Sequence, residues 1–391
     1  MTAPDANAAG HLPRLARLHE QTYQQPIQSA GFAPGRVNLM GDHVDYCGGA
    51  VLPIAIAEGT TCVMTPRDDQ RVRVQSLQKG STVHDFDLSD VDPRRELGWL
   101  AYVVGSLAIA REHGWIDHGV DVTVHSTVPL GAGLSSSASL ECSVLVTALG
   151  LSQHTVDPMD VALAAQRAEH EYAHVPCGIM DQATSMLGRA GHALLLDTAT
   201  LETSYIPLHL DQLGLDIVLI DTNAHHLLSS GGYSERRQET ETSRDLLGIP
   251  FLAHHDDFSA VAALTPPLDR RSRHVMSEQQ RVRATAAAFE QGRPDLLAQY
   301  FHSSHESLAE DFEVSCPELD VAVQAALRGG AVAARMTGGG FGGSVVALCA
   351  PKSKPSVIQH ARDSFREFGF DAPSFLDAVP SDGARLLPLA T

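Results

Sequence analysis

The 391-residue sequence lacks the signatures of several specialised protein classes. Its six cysteines occur singly, without a Cys-x-x-Cys pair, so they predict free thiols in a reducing compartment rather than a disulfide framework. No apolar run approaches the roughly 20 residues of a membrane helix, and the first residues lack the charged and apolar segments of a secretory signal. We therefore expect a cytoplasmic protein that does not enter a membrane.

Clustered positive charge is also missing. Lysine and arginine number 28 against 47 aspartates and glutamates, a formal charge of −19, and the basic residues form no run. Such a chain repels a polyanion, so we expect no nucleic-acid partner. The Gly-Lys-Ser/Thr ending of a Walker loop is absent as well, which excludes that way of holding ATP.

Strand-like and helix-like segments follow one another without regular βαβ alternation. Apolar, β-branched runs occupy residues 49–66, 71–78 and 120–129, and helical periodicity begins near Leu100 and Ser135. The pattern predicts an α+β protein, and the length favours two domains. We place the boundary near residue 200, with an N-terminal domain at 1–200 and a C-terminal domain at 201–391.

Two glycine-rich segments are candidates for contact with phosphate. "PLGAGLSSSASLEC", residues 129–142, joins a predicted strand to a predicted helix, where backbone amides and the helix N-terminus attract anions. A serine-capped turn is the alternative. "TGGGFGG", residues 337–343, matches the dinucleotide fingerprint, but a strand follows it where that fingerprint requires a helix. It is interpreted as a hairpin turn.

Two acidic motifs have competing interpretations. His170, Glu171 and His174 spell His-Glu-x-x-His, a zinc spacing, but Val175 and Pro176 end the helix at once and no third ligand follows. Surface or packing histidines are the favoured interpretation. Asp181, in "CGIMDQ", is either a helix cap or a carboxylate that faces a substrate hydroxyl.

Taken together and in order, these motifs resemble the GHMP family of small-molecule kinases, over residues 32–350. The resemblance rests on "GRVNLMGDHVDY" with "GGAVLP", "PLGAGLSSSASLE", "CGIMDQ" with "GHALLLD", "GGYSERRQE", "RHVMSEQQRV", "SHESLAEDFEVSCPELD" and "ARMTGGGFGG". The first motif is similar to that of the members that phosphorylate galactose. The resemblance implies a two-domain α+β fold with the active site between the domains.

The resemblance also implies roles, position by position. Asp181 matches the catalytic acid and Arg36 the cation that pairs with it. Mg²⁺ would be held by Ser137 and Glu169. The matching sugar-binding positions are Asp42, His43, Val44, Asp45, Gly178 and Tyr233. The matching nucleotide positions are Ser76, Gly131, Ala132, Gly133, Leu134, Ser135, Ser136 and Ser137.

The implied reaction is ATP-dependent and Mg²⁺-dependent phosphorylation of the anomeric hydroxyl of D-galactose, by a protein expected to be a monomer. Phosphoryl transfer needs a phosphate cradle, a metal, a cation and a carboxylate, and each has a candidate here. Two alternatives stay open: a kinase for N-acetylgalactosamine, arabinose or galacturonate, and a non-catalytic sensor of galactose and ATP. The galactose-specific members usually have glutamate where this chain has Asp42, so we expect either altered specificity near C6 or a slightly deeper sugar.

Overall fold

The computed structural model describes residues 3–80, 82–88, 91–93, 96–224 and 231–389. Helices and strands alternate irregularly along these residues. The helices are α1 Ala3–Tyr23, α2 Leu100–Glu112, α3 Ser136–Ser152, α4 Pro158–Ala168, α5 Met180–Leu187, α6 Leu210–Leu213, α7 Gly232–Leu247, α8 Phe258–Ala262, α9 Leu268–Glu290, α10 Pro294–Glu306, α11 Pro317–Arg328 and α12 Lys354–Phe368. The strands are β1 Ser29–Asn38, β2 Ala50–Val51, β3 Pro53–Pro66, β4 Arg71–Ser76, β5 His84–Asp87, β6 Val120–Ser126, β7 His192–Asp197, β8 Thr203–Pro207, β9 Asp216–Asp221, β10 Ala331–Thr337, β11 Ser344–Cys349, β12 Ser374–Asp377 and β13 Arg385–Leu386.

A six-stranded sheet in the order β13-β1-β3-β6-β4-β5 organises the N-terminal half. Alternate residues of β3 face different partners: Val63 packs with Leu15 of α1, whereas Cys62 and Met64 join the apolar core that contains Cys142 of α3. The register of β1 against β3 shifts between Pro34 and Arg36. This irregularity lies where β1 presents Arg36 to the carboxylate of Asp181.

The C-terminal half is built around a four-stranded sheet in the order β10-β11-β9-β12, with α10 and α11 packed against it and α12 packed against α11. Val345 of β11 belongs to the same apolar cluster as Val122 of β6, so the two halves share a core. The chain also crosses the predicted boundary near residue 200: β8 pairs with β7, and β13 returns to β1. The boundary itself stays a prediction.

The prediction of an α+β protein is confirmed, and so is the hairpin, since β10 and β11 pair from Thr337 to Ser344 around the glycine turn. One predicted helix differs. The helix predicted to end at Val175 and Pro176 is α-helical over Pro158–Ala168 and continues as a π-helical turn over Glu169–Ala173. Such turns are frequent at functional sites, and this one begins at the candidate metal ligand.

Candidate active site

A cavity of about 510 Å³ lies where the N-terminal motifs meet the C-terminal glycine turn. Its walls come from six segments that are far apart in sequence. The lining includes Arg36, Asp42, His43, Asp45, Tyr102, Pro129, Gly131, Gly133, Leu134, Ser135, Ser136, Ser137, Glu169, Cys177, Gly178, Asp181, Tyr233, Gly338 and Gly339. The chain therefore gathers most of the predicted site residues around one space.

Asp181, in the first turn of α5, is held from both sides. Arg36 donates to its Oδ1 from Nε at 2.8 Å and contacts the same atom through a terminal nitrogen at 2.7 Å. The Ser135 hydroxyl donates to Oδ2 at 2.5 Å. The Asp181 side chain keeps 22% of its surface exposed, against 6% for Arg36. The carboxylate is thus fixed in orientation but still faces the cavity.

The loop before α3 is shaped for close backbone contact. Ser135 has a left-handed backbone, with φ of 57°, directly before the helix starts. The Gly133 carbonyl accepts a hydrogen bond from Arg36 at 2.5 Å, and the Leu134 carbonyl accepts one from the Arg36 amide at 3.1 Å. These bonds fix the loop to β1, and the α3 N-terminus then directs its unsatisfied amides and positive dipole end toward the cavity.

Ser137 and Glu169 meet at the cavity wall, since the serine hydroxyl is a hydrogen-bond partner of the carboxylate. Gln182 donates to Glu169 Oε2 at 2.6 Å, and the Cys177 thiol contacts the same atom at 3.4 Å. Burial and the nearby charge of Asp181 raise the pKa of Glu169 to about 7. Two crowded carboxylates beside a hydroxyl suit a hard cation such as Mg²⁺.

Asp45 and Tyr233 also line the cavity. A side chain at position 178 would collide with the Asp45 carboxylate, so only glycine permits this approach. Burial and the charge of Asp181 raise the pKa of Asp45 to about 6. The Tyr233 ring lies 5.5 Å from the His43 ring. Carboxylate, hydroxyl and imidazole therefore share one polar wall, the kind of surface that binds a sugar ring.

His43 reaches across to the C-terminal glycine turn. Its backbone is left-handed, with φ of 64°, and its Nε2 donates to the Gly339 carbonyl at 3.1 Å. Its Nδ1 accepts a hydrogen bond from the Tyr46 hydroxyl at 2.8 Å. The Gly339 carbonyl, which can only accept, fixes the tautomer with the proton on Nε2, and the Tyr46 hydroxyl donates to the other nitrogen.

Asp42 borders the cavity, but both of its carboxylate oxygens are engaged by other protein groups. Oδ2 pairs with Arg335 at 2.5 Å and Oδ1 accepts from the Gly338 amide at 2.8 Å. Its side chain is only 2% exposed. Burial raises the pKa of Asp42, while the Arg335 charge and these hydrogen bonds lower it. In this structure Asp42 joins the sugar motif to β10 rather than facing the open space.

Three other predicted positions do not line the cavity. Val44 and Ala132 are fully buried, and the Ser76 hydroxyl accepts a hydrogen bond from the Gln78 amide at 3.3 Å. The two histidines of the His-Glu-x-x-His motif also do not converge on one site. His170 donates to the Cys177 carbonyl and His174 to the Pro93 carbonyl, each at 2.8 Å. Among the described residues, no group of three or more histidine, cysteine or acidic side chains is arranged to hold a metal ion.

Several contacts were not foreseen from the sequence. Ser135 was predicted as a nucleotide residue, and its bond to Asp181 joins two motifs 46 positions apart. Gln182 follows Asp181 directly, but a glutamine at that position carries no signal of its own in the sequence. Arg335, 293 positions from Asp42, carried no signal beyond its place before the glycine turn. Residues at such separations become neighbours only in the folded chain.

Comparisons with known proteins match the segments that form this site. Family models described as GHMP kinases N terminal domain, galactokinase galactose-binding signature and GHMP kinases C terminal match residues 101–189, 17–66 and 285–366. The chain is 40% identical over 360 residues to a galactokinase of Streptomyces coelicolor, covering 91% of this chain and 93% of that one. The chain belongs to the galactokinase family. It is a GHMP kinase, as its motifs predicted.

Other galactokinase relatives agree. A galactokinase of Exiguobacterium sibiricum is 37% identical, with 95% and 97% of the two chains covered. The crystal structure of Lactococcus lactis galactokinase complexed with galactose superposes with a TM-score of 0.90 at 31% identity, covering 96% of this chain and 100% of that one. A mevalonate kinase, at 15% identity and a TM-score of 0.67, shares the fold. The two-domain GHMP kinase fold is thereby confirmed.

No helix of the described segments is both long and apolar enough to cross a bilayer.

Proposed function

We propose that this galactokinase-family protein transfers the γ-phosphoryl group of ATP to the anomeric hydroxyl of D-galactose, and that Asp181 is its catalytic acid–base residue. One observation carries the proposal: a carboxylate held by Arg36 and Ser135 faces a cavity bounded by a phosphate-type loop and a polar wall. Phosphoryl transfer depends mainly on positioning and charge neutralisation, and this arrangement supplies both.

Asp181 orients the sugar hydroxyl and accepts its proton. The hydroxyl oxygen forms a bond to the γ-phosphorus as the bond from that phosphorus to the β,γ-bridging oxygen breaks, and ADP departs. Arg36, fixed against Asp181 and the Gly133 carbonyl, lies where its charge stabilises both the carboxylate and the moving phosphoryl group. The loop of residues 131–137 supplies backbone amides to the phosphates.

We assign Mg²⁺ binding to Ser137 and Glu169. Two protein ligands suffice, because Mg²⁺ keeps several waters and takes further oxygens from substrate phosphates. When bound, the ion neutralises phosphate charge. Glu169 needs to be ionised for this role, and its pKa near 7 implies that binding of the cation displaces a proton.

The sugar is assigned to the wall formed by Asp45, Tyr233 and the backbone at Gly178, with His43 behind it. Asp45 lies close enough to Asp181 for their charges to interact, so a ring bound there presents a hydroxyl to the catalytic carboxylate. Asp42 is proposed to support this wall through Arg335 and Gly338. Asp42, which is shorter than the usual glutamate, thus binds protein groups rather than the sugar.

The test is ADP release measured with ATP, Mg²⁺ and a panel of free monosaccharides. We expect turnover with galactose to exceed that with N-acetylgalactosamine, arabinose and galacturonate. A higher kcat/KM for one of those sugars would replace galactose in the proposal. Binding of galactose and ATP by calorimetry without turnover of any sugar would indicate the sensor instead.

We further propose that the protein acts as a cytoplasmic monomer. The six cysteines are all free, and four of them are buried, as expected for a reducing compartment. The cavity is complete within a single chain. Light scattering after gel filtration tests the oligomeric state, and a mass of twice 41.8 kDa would contradict the monomer.

A further inference from the structure

Behind the cavity wall, Gln182 joins two acidic side chains. Its amide nitrogen donates to Glu169 Oε2 at 2.6 Å and to Glu141 Oε2 at 3.2 Å. Gln182 and Glu141 are fully buried. An amide nitrogen has two hydrogens, and here each has a carboxyl oxygen to accept it. The opposite amide orientation would turn Oε1 toward both carboxyl groups and lose both bonds.

The remaining carboxyl oxygen of Glu141 and the amide oxygen of Gln182 lack hydrogen-bond partners among the described residues. Glu141 Oε1 and Gln182 Oε1 are both buried, and no described donor reaches either atom. A buried acceptor without a donor costs about 1–3 kcal/mol, and two on neighbouring side chains call for an explanation. A proton on Glu141 provides one, because an acid O–H can donate to Gln182 Oε1 while the amide N–H donates back to the carboxyl group.

The charge environment agrees with this arrangement. Burial, together with the charges of Glu169 and Asp181, raises the pKa of Glu141 well above its ordinary value, against the hydrogen bond from Gln182. An ionised Glu141 would add a third negative charge to a region where Glu169 and Asp181 already interact. The neutral acid leaves the anionic charge on the two residues that face the cavity.

We propose that Glu141, as an uncharged acid paired with Gln182, positions the Glu169 carboxylate for Mg²⁺. Glu141 is a positioning residue: it fixes the Gln182 amide, and the amide fixes one oxygen of Glu169. The inference rests on the proposed function only in taking Glu169 as a metal ligand. The proposal assigns a role in metal binding to a residue of α3 that lies behind the cavity wall.

The experiment compares two substitutions of similar size. Glu141→Gln can form the same two-way pair with Gln182, whereas Glu141→Met cannot. The readout is calorimetric titration of Mg²⁺ into each protein in the presence of a non-hydrolysable ATP analogue. We expect Glu141→Met to weaken Mg²⁺ binding about tenfold or more, as loss of an outer partner of a metal ligand does. Glu141→Gln should stay within about twofold of the wild type.

Two results would overturn the proposal: Mg²⁺ affinity unchanged in Glu141→Met, or weakened equally in both variants, which would mean that the negative charge of Glu141 is required. If Glu141→Met fails to fold, Gln182→Met should show the same weakening. An infrared difference spectrum, wild type minus Glu141→Gln, should contain the carbonyl band of a protonated carboxylic acid, and its absence would refute the neutral state. Failure of the proposed function would be seen separately, as no turnover by the wild type.

Discussion

Two aspartate–arginine pairs lie at the edge of the same cavity and differ in what surrounds them. Asp181 pairs with Arg36, and its side chain is 22% exposed. Asp42 pairs with Arg335, at 2.5 Å, and the two side chains are 2% and 0% exposed. In the first pair the second carboxylate oxygen meets the Ser135 hydroxyl, and in the second it meets the Gly338 backbone amide. We call them the open pair and the closed pair.

The closed pair belongs to a larger buried network. Arg335 also lies 3.7 Å from Glu278, which accepts hydrogen bonds from the Gly41 amide and the Ser304 hydroxyl. Burial alone would raise the pKa of Glu278, but the charges of Arg281 and Arg335 lower this pKa to about 2. In one protein, an arginine paired with an aspartate can therefore support the reaction or stabilise the fold. Access of the pair to the cavity distinguishes the two roles.

The largest effect on the rate is expected from Asp181→Asn in the open pair. The amide keeps the shape of the side chain but cannot accept the proton of the sugar hydroxyl. We expect kcat to fall by about 10²–10⁴-fold, with the melting temperature within about 2 °C of the wild type. Steady-state ADP release and thermal unfolding are the measurements. Substantial kcat in this variant would remove Asp181 from the catalytic role.

The largest effect on stability is expected from Asp42→Asn in the closed pair. Removing the nearer carboxylate leaves the buried Arg335 charge with only the more distant Glu278, and breaking a buried pair in this way costs about 3–5 kcal/mol in the free energy of unfolding. Urea denaturation of this variant beside Asp181→Asn gives the comparison directly.

Sugar kinetics provide the control for that prediction. We expect wild type and Asp42→Glu to rank galactose, 6-deoxygalactose and talose in the same order by kcat/KM, because the carboxylate is bound to protein. A stable Asp42→Asn variant with a raised KM for galactose would show that Asp42 contacts the sugar after all.

The open pair was predictable from the sequence and the closed pair was not. Arg36 and Asp181 lie in motifs whose letters suggest chemistry, and their pairing followed from the family resemblance. Asp42 lies in the same kind of motif, and the resemblance made it a sugar ligand. In the structure its carboxylate binds an arginine 293 positions away, on a strand whose pattern indicates only burial. Sequence motifs identify reactive residue types, but tertiary packing decides which of them keep access to the cavity.

Acidification should lower the stability of the fold through two buried histidines next to the closed pair. His274 donates to the Asp42 carbonyl and His43 to the Gly339 carbonyl. Burial lowers the pKa of His274 to about 4 and that of His43 to about 3. In the unfolded chain both take up protons near pH 6.5, so the stability that they confer is complete above this pH. It is lost as the pH falls from 6.5 toward 4, by up to about 1.4 kcal/mol per pH unit for each histidine.

Urea denaturation at several pH values between 7 and 5 measures this slope. Replacing His274 by glutamine keeps both a donor and an acceptor while removing one protonation site, so the slope should fall by up to about 1.4 kcal/mol per pH unit at the acidic end of this range. The exposed His154 offers a matched control, since His154→Gln should leave the slope unchanged. An unaltered slope in His274→Gln would mean that this histidine is not held neutral in the folded protein.

The smallest predicted effect separates orientation from chemistry within the open pair. Ser135→Ala removes the hydrogen bond to Asp181 Oδ2 but leaves the carboxylate and both Arg36 contacts in place. A hydrogen bond to a charged group contributes about 1.5–3 kcal/mol, and Arg36 retains part of the orientation, so we expect kcat to fall about tenfold. The KM for galactose should change little, because Ser135 is not on the sugar wall. If the variant instead lost as much activity as Asp181→Asn, the serine hydroxyl would be part of the proton path rather than a support for the carboxylate.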